Sequence, residues 1–385
     1  MLFKEIIGHK EIKNRLIKSV NENRISHAQL FLGAEGAGSL QLAIAYSQYI
    51  CCSNKIDNDS CGKCSSCIKY NKLAHPDLHF VFPVVTKKNY DMPNGDTRDL
   101  VMSDDYMFLF REAFMENHHL NLNQWFSFIE AENKQGIIGV DESSELIRKL
   151  NLMTYESDYK IAIIWMPEKM RTEAANHLLK VLEEPPHNTL FLLVAENSDQ
   201  IINTILSRTQ LVKIDKPTDE ELIEAVMAKY NYTNQQAGYI VHLADRNQNE
   251  IQTLAHPDSD DDSTNELLKW WRMCYNVNKE MGNLLAWVDI QSKIGREKQK
   301  NFILYSMHIF RECLMLRYAD KSAVRMNSLE MDSFIKFSLM INEANCYDFA
   351  KELNTAYMHI ERNANPKILF LDLSFKLGKL LRKTG

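Results

Sequence analysis

The chain has no apolar run near the roughly 20 residues that a membrane-spanning helix needs. Its opening residues, Met1-Leu2-Phe3-Lys4-Glu5, pass straight into mixed sequence without the apolar core of a signal peptide. Both absences lead to the expectation of a cytoplasmic protein with no membrane partner. A surplus of positive charge is missing too: 45 Lys and Arg against 51 Asp and Glu leave a formal net charge of −6. Neutralised phosphates supply much of the affinity of a protein that holds DNA unaided, so any DNA contact is expected to be local or shared with partners. Thirteen Gly and nine Pro among 385 residues are too few for a disordered or collagen-like chain. No HExxH pair and no G-x-S-x-G elbow occurs, so neither the zinc-peptidase nor the serine-hydrolase centre is legible. No internal repeat or low-complexity tract stands out.

What is present has the rhythm of an α/β protein in its first 215 residues. Gln29-Leu30-Phe31-Leu32, His79-Phe80-Val81-Phe82, Ile161-Ala162-Ile163-Ile164-Trp165 and Leu190-Phe191-Leu192-Leu193-Val194 are almost wholly apolar runs. Such runs fit strands buried on both faces of a parallel sheet. Helical spacing lies between them, at Leu146, Ile147 and Leu150 and again from Ala174 to Leu182, where Pro185 and Pro186 must stop the helix. Residues 83–135 interrupt the rhythm with polar turns over 89–96 and an aromatic helical stretch over 106–130, and read as an insertion. Asp215-Lys216-Pro217-Thr218 marks a boundary, with a small helical domain over 216–256 and an acidic linker from His256 to Thr264. The stripe Phe302, Tyr305, Ile309, Cys313 and Leu316 is typical of the rest, which reads as a helical bundle over 265–385. Trp270, Trp271 and Trp287 fall at helical spacing and are expected to pack rather than to stack on bases.

Five of the eight cysteines crowd between Cys51 and Cys67. In a reducing compartment that clustering points to a metal rather than to disulfides. Cys52, Cys61, Cys64 and Cys67 have the spacing of a four-thiolate site, over residues 52–67, which suits structural Zn²⁺ and leaves no open position for catalysis. An iron–sulfur cluster uses similar CxxC runs, but the downstream Cys-Pro is missing. Cys51 could take the place of Cys52.

The loop Gly33-Ala34-Glu35-Gly36-Ala37-Gly38-Ser39-Leu40 follows a predicted strand and precedes a predicted helix. That is where a phosphate-cradling loop belongs. A working loop of this kind ends in Gly-Lys-Ser/Thr, with lysine on the phosphates and the hydroxyl on Mg²⁺. Here Ser39 and Leu40 hold those places, so Gly33, Gly36, Gly38 and Ser39 are the remains of the motif. Where an ATPase of this type carries an acidic pair at the end of a strand, this chain has Trp165 and Met166. Glu168 lies further on and reads as a helix-start residue.

Asn176-x-Leu178-Leu179-Lys180-x-Leu182-Glu183-Glu184-Pro185-Pro186 resembles the hallmark segment of bacterial clamp-loader subunits of the AAA+ class. The resemblance extends to Phe3 through Gly8, to Ser26-His27-Ala28, to the glycine loop, to the cysteine module and to Ser207-Arg208-Thr209, which has threonine where the family has cysteine. It is specific over about 1–82 and 137–215. It implies an AAA+ core over 1–215, a small lid domain and a C-terminal collar domain that joins a heteropentameric ring. Without lysine and acidic pair the chain is similar to the non-hydrolysing, delta-prime type of DNA polymerase III subunit. For that type the resemblance implies that Arg208, with Ser207, serves as an arginine finger in the ATP site of a neighbouring motor subunit. It implies motor and wrench subunits, the sliding clamp and, through the complex, primed DNA as partners. ATP itself would be bound weakly or not at all. Two other classes are open on the same residues: an ATPase with an unorthodox acid such as Glu168 or Asp141, and a zinc-containing nucleic-acid-binding protein.

Overall fold

The computed structural model of the chain describes residues 1–92, 95–131, 134–255, 260–318, 328–362 and 364–383. Its chain divides into two compact units, Met1–Ala225 with Arg246–Glu250, and Val226–Asp245 with Ile251–Gly385. The residues expected to form a lid, 216–256, are therefore shared between the two.

Five strands of the first unit form a parallel sheet in the order β2-β5-β6-β1-β7. They are β1 (Ala28–Leu32), β2 (Leu78–Val81), β5 (Lys160–Trp165), β6 (Thr189–Ala195) and β7 (Gln210–Lys213). Alternation of side chains along each strand sends successive residues to opposite faces. Phe31, Ile161, Ile163, Leu190 and Leu192 thus join one core and Leu30, Ala162, Ile164, Phe191 and Leu193 the other. Both faces are apolar because both are covered. Helices α1 (Lys10–Asn21) and α2 (Ser39–Cys51) cover the first, while α6 (Val140–Leu150) and α7 (Thr172–Glu183) cover the second with Leu146, Leu150, Leu178 and Leu182. Of two short helices, α3 (Ser65–Asn71) begins inside the cysteine-rich segment and carries Cys67, and α8 (Asn203–Leu206) precedes β7.

The insertion differs from its sequence reading in two places. The polar turn region is a two-stranded antiparallel ribbon, β3 (Lys87–Asp91) with β4 (Thr97–Leu100). The aromatic stretch is two helices, α4 (Ser103–Glu116) and α5 (Leu122–Phe128), broken where the Asn121 side chain accepts the Gln124 N–H and starts a new helix. Their aromatics belong to the main core. Phe110 stacks on Phe82 at 4.2 Å and meets Trp125 edge-on at 5.5 Å and Trp165 at 5.6 Å.

The second unit is helical: α10 (Asn234–Leu243), α12 (Asp260–Tyr275), α13 (Val277–Gln291), α14 (Arg296–Tyr318), α15 (Ser328–Ser338), α16 (Cys346–Glu361) and α17 (Pro366–Leu381), while α9 (Asp219–Tyr230) and α11 (Gln248–Leu254) run across the division. Trp270 and Trp271 are fully buried and Trp287 nearly so, with Trp270 stacked on Trp287 at 5.3 Å. The expected packing role of these indoles is borne out. Of the expected acidic linker, 256–259 lie outside the described residues, and helix α12 already begins at Asp260. No helix of the described residues is long and apolar enough to cross a membrane.

Candidate functional site

The cysteine module fills the connection from α2 to α3. Cys52 is the residue just past α2, and Cys64 caps the start of α3, its sulfur accepting the Cys67 N–H at 3.4 Å. The sulfurs of Cys52, Cys61, Cys64 and Cys67 all lie within 4.8 Å of one another, with 3.9 Å between Cys61 and Cys67. Four sulfurs about 2.3 Å from a tetrahedral ion are about 3.8 Å apart, so the four thiols could hold one metal ion. Backbone N–H groups of Cys61 and Cys64 point at the sulfurs of Cys52 and Cys61, both at 3.3 Å. Burial alone would raise the Cys64 thiol, but N–H donation from Cys67 and contacts to Ser53 outweigh it and bring it down to about 6. Cys51 stands apart: it receives the Tyr70 hydroxyl at 3.3 Å, and burial pushes its thiol up to about 11. The N-terminal segment is fastened to this module, since the Phe3 and Lys4 N–H groups both donate to the Asp59 carboxylate at 3.0 Å.

The glycine loop turns from the end of β1 into α2. Gly36 adopts φ 72° and Gly38 φ 95°, both in the left-handed region that glycine enters without penalty. At Gly36 any side chain would also collide with the Asn247 amide, and the Gln248 N–H donates to the Gly36 carbonyl at 3.2 Å. The pocket above the loop is small, about 40 Å³, and is lined by the loop, Gln41, His119, Leu120, Trp165, Met166, Val194, Ala195 and Glu196. Among these lining residues there is no lysine or arginine. Trp165 and Met166 are both buried, and Met166 takes the left-handed φ of 58°.

Three carboxylates lie near one another here, and one of them, Glu196, lines the pocket. The Glu35 carboxylate receives Asn121 Nδ2 at 2.8 Å. Although Glu196 keeps contact with solvent, surrounding protein mass, then Glu35 and Glu168, push its carboxyl up to about 8. Glu168 is not simply a helix-start residue: its Oε1 accepts the N–H groups of Glu196 (2.9 Å) and Asn197 (3.3 Å) at the end of β6. Asp141 lies exposed in the first turn of α6 and does not line the pocket. The insertion contributes as well, because Gln41 Nε2 donates to the His118 carbonyl at 2.5 Å and lies 2.8 Å from His119 Nδ1. Sequence reading had no signal for that contact, which joins residues 77 and 78 positions apart.

Arg208 follows α8 and lies outside the pocket. Its Nε donates to Glu183 Oε1 at 2.5 Å, a second donor on Nη2 reaches the same oxygen, and Nη1 donates to the Thr204 carbonyl (2.8 Å) and to Ser207 Oγ (3.2 Å). Thr209 Oγ1 donates to the Ile205 and Leu206 carbonyls at 3.2 and 3.3 Å, so threonine at this place is locally satisfied. The hallmark segments also meet: a ring nitrogen of His27 lies 3.0 Å from the Leu182 carbonyl at the end of α7.

The family model described as DNA polymerase III, delta subunit, matches residues 8–218. The chain belongs to that family. A DNA polymerase III subunit delta' of Haemophilus influenzae is 26% identical over 225 residues, 58% of this chain and 54% of that protein. One of Bacillus subtilis is 27% identical over 222 residues, 56% of this chain and 52% of that protein. A DNA polymerase III subunit tau of Bacillus subtilis is 23% identical over 221 residues, 57% of this chain and 30% of that protein. The chain thus spans about half the length of the delta' relatives it matches. The delta-prime resemblance drawn from the motifs is borne out. The matched residues contain the parallel α/β core, and the helical C-terminal region lies beyond them.

Proposed function

We propose that this chain is a non-hydrolysing, delta-prime-type AAA+ subunit of a bacterial clamp loader. It works in the cytoplasm as part of the DNA polymerase III holoenzyme, with motor and wrench subunits, and helps to load the sliding clamp on primed DNA. One observation carries the reading. The chain's own pocket is lined by a glycine frame, an indole and one acid, Glu196, with no lysine or arginine, whereas the arginine that could meet a phosphate stands outside that pocket. On this reading the anion that Arg208 serves belongs to a neighbouring subunit.

A triphosphate bound in a loop of this shape needs a cation to offset its charge. Here no lysine or arginine lines the place and a glutamate, Glu196, stands in its lining, which supports weak or absent ATP binding. Arg208 suits the opposite task, because guanidinium is planar, permanently charged and able to meet two phosphate oxygens at once. Directed at a γ-phosphate, such a group stabilises charge that builds on the equatorial oxygens during transfer. Ser207 holds one edge of the guanidinium in place. The four sulfurs are assigned Zn²⁺, which would fasten α2, α3 and the N-terminal segment together and has no open position for chemistry.

The test is the ATPase of a reconstituted clamp loader. Arg208→Ala should leave the fold and metal content intact and lower DNA- and clamp-stimulated turnover by about tenfold or more at the served site. Unchanged turnover would sink the trans-acting arginine. Micromolar binding of ATP·Mg by the isolated chain would instead favour an ATPase with an unorthodox acid.

A further inference from the structure

Glu183 closes the hallmark segment of α7, yet nothing in the reading above gives it a task. Its location is poor for a helix. A carboxylate in the last turn faces the negative end of the helix dipole, and Glu184 adds a second acid at the cap. The charge is therefore not there for α7.

Its partner is Arg208, 25 residues away. A guanidinium has five N–H donors. Two, on Nη1, are held by the Thr204 carbonyl and Ser207 Oγ, and fix the plane of the group. The Nε and Nη2 edge is turned to Glu183 Oε1. That edge is the one a phosphoryl group would use in a two-point contact. Both side chains keep substantial exposure, 31% for Arg208 and 48% for Glu183. An ion pair this exposed contributes little to stability and opens readily.

We propose that Glu183 is a positioning residue that holds Arg208 as an internal stand-in for phosphate. The carboxylate occupies the two-donor edge while the subunit faces no nucleotide, and the guanidinium exchanges it for the more highly charged γ-phosphate of a neighbouring subunit. Thr204 and Ser207 keep hold of Nη1 throughout, so the exchange needs a small swing rather than a new rotamer search. This inference rests on the trans-acting role proposed for Arg208. It goes beyond that role by naming the group that competes for the arginine.

The experiment uses the reconstituted complex with Mg·ATP, with and without primed DNA and clamp, and compares Glu183→Gln, Arg208→Ala and the double variant. Glutamine keeps the shape and removes the charge. The expected result is a rise of about two- to fivefold in turnover without DNA, the size an exposed ion pair can impose. A smaller change is expected with DNA and clamp, together with an unaltered melting temperature. In the Arg208→Ala background, Glu183→Gln should have no further effect. If Glu183→Gln leaves DNA-free turnover unchanged while Arg208→Ala lowers stimulated turnover, the latch is overturned and the role of Arg208 stands. An equal effect of Glu183→Gln with and without Arg208, or a drop in melting temperature with parallel loss of turnover, also overturns it. If Arg208→Ala itself has no effect, the functional reading fails and the latch with it.

Discussion

The cysteine module and the glycine loop are joined by a single helix, α2, and they offer a ligand different things, one side chains and the other backbone. In the module the side chains that would hold a ligand are all present: four sulfurs converge within 4.8 Å, aided by backbone N–H groups. In the loop there are two left-handed glycines, and the side chains beside them are those of Ser39, Leu40, Trp165 and Met166, none of them charged. The difference follows from what each site does for the fold. The loop backbone is packed, with Asn247 against Gly36 and the Gln248 N–H on its carbonyl, so it has a structural use without a ligand. In the module it is the sulfurs that converge, in a group that could hold an ion.

The largest effect should therefore come from the module. Cys67→Ser removes a buried sulfur from the centre of the cluster. Elemental analysis should show about one Zn per chain in the wild type and a loss in the variant, with unfolding of the segment from 52 to 71. Binding free energy at structural zinc sites of small modules is on the order of 10 kcal/mol, so the variant should melt in two steps, module first. A wild-type chain that carries iron, or a variant that melts as the wild type does, would break the contrast.

A smaller effect is expected at the loop. Gly36→Ala introduces a side chain at positive φ and against Asn247, and should cost about 1–3 kcal/mol in urea unfolding. It should do so without changing nucleotide affinity, because the loop is retained as packing. If Gly36→Ala were neutral in stability but altered ATP binding, the loop would have to be read as a working site.

How much of this was open to sequence reading depends on how local the signal is. The all-apolar strands and the cysteine spacing are local, and each was legible. The ribbon of β3 and β4 was not, because Lys87, Lys88, Asn89 and Asp91 are polar residues of a ribbon outside the main sheet and lack the alternation that marks a half-buried strand. The break between α4 and α5 was passed over, although residues 115–124 hold no Phe, Tyr or Trp and Asn121 supplied a cap. The arginine was found through its motif, but its pairing with Glu183 depends on how α7 and α8 come together. No spacing rule reports that. The insertion's hold on Gln41 was equally beyond reach, since it links residues 77 and 78 positions apart.

The smallest effect sharpens the electrostatic side of the contrast. The Glu196 carboxyl is pushed up to about 8, against 4.5 for an ordinary glutamate, by the protein mass around it and the nearby Glu35 and Glu168. Between these two values the folded state holds a proton that the unfolded state has released. Stability must then fall as pH rises from about 4.5 to about 8, and the full penalty applies above 8. Glu196→Gln removes the titrating group, so its advantage over the wild type should be near zero at pH 4.5 and greatest above pH 8. Solvent contact at Glu196 limits the difference to about 1 kcal/mol or less. Parallel urea titrations at pH 5 and pH 8.5 would measure it. A variant that tracks the wild type at both pH values would mean that the three acids do not feel one another.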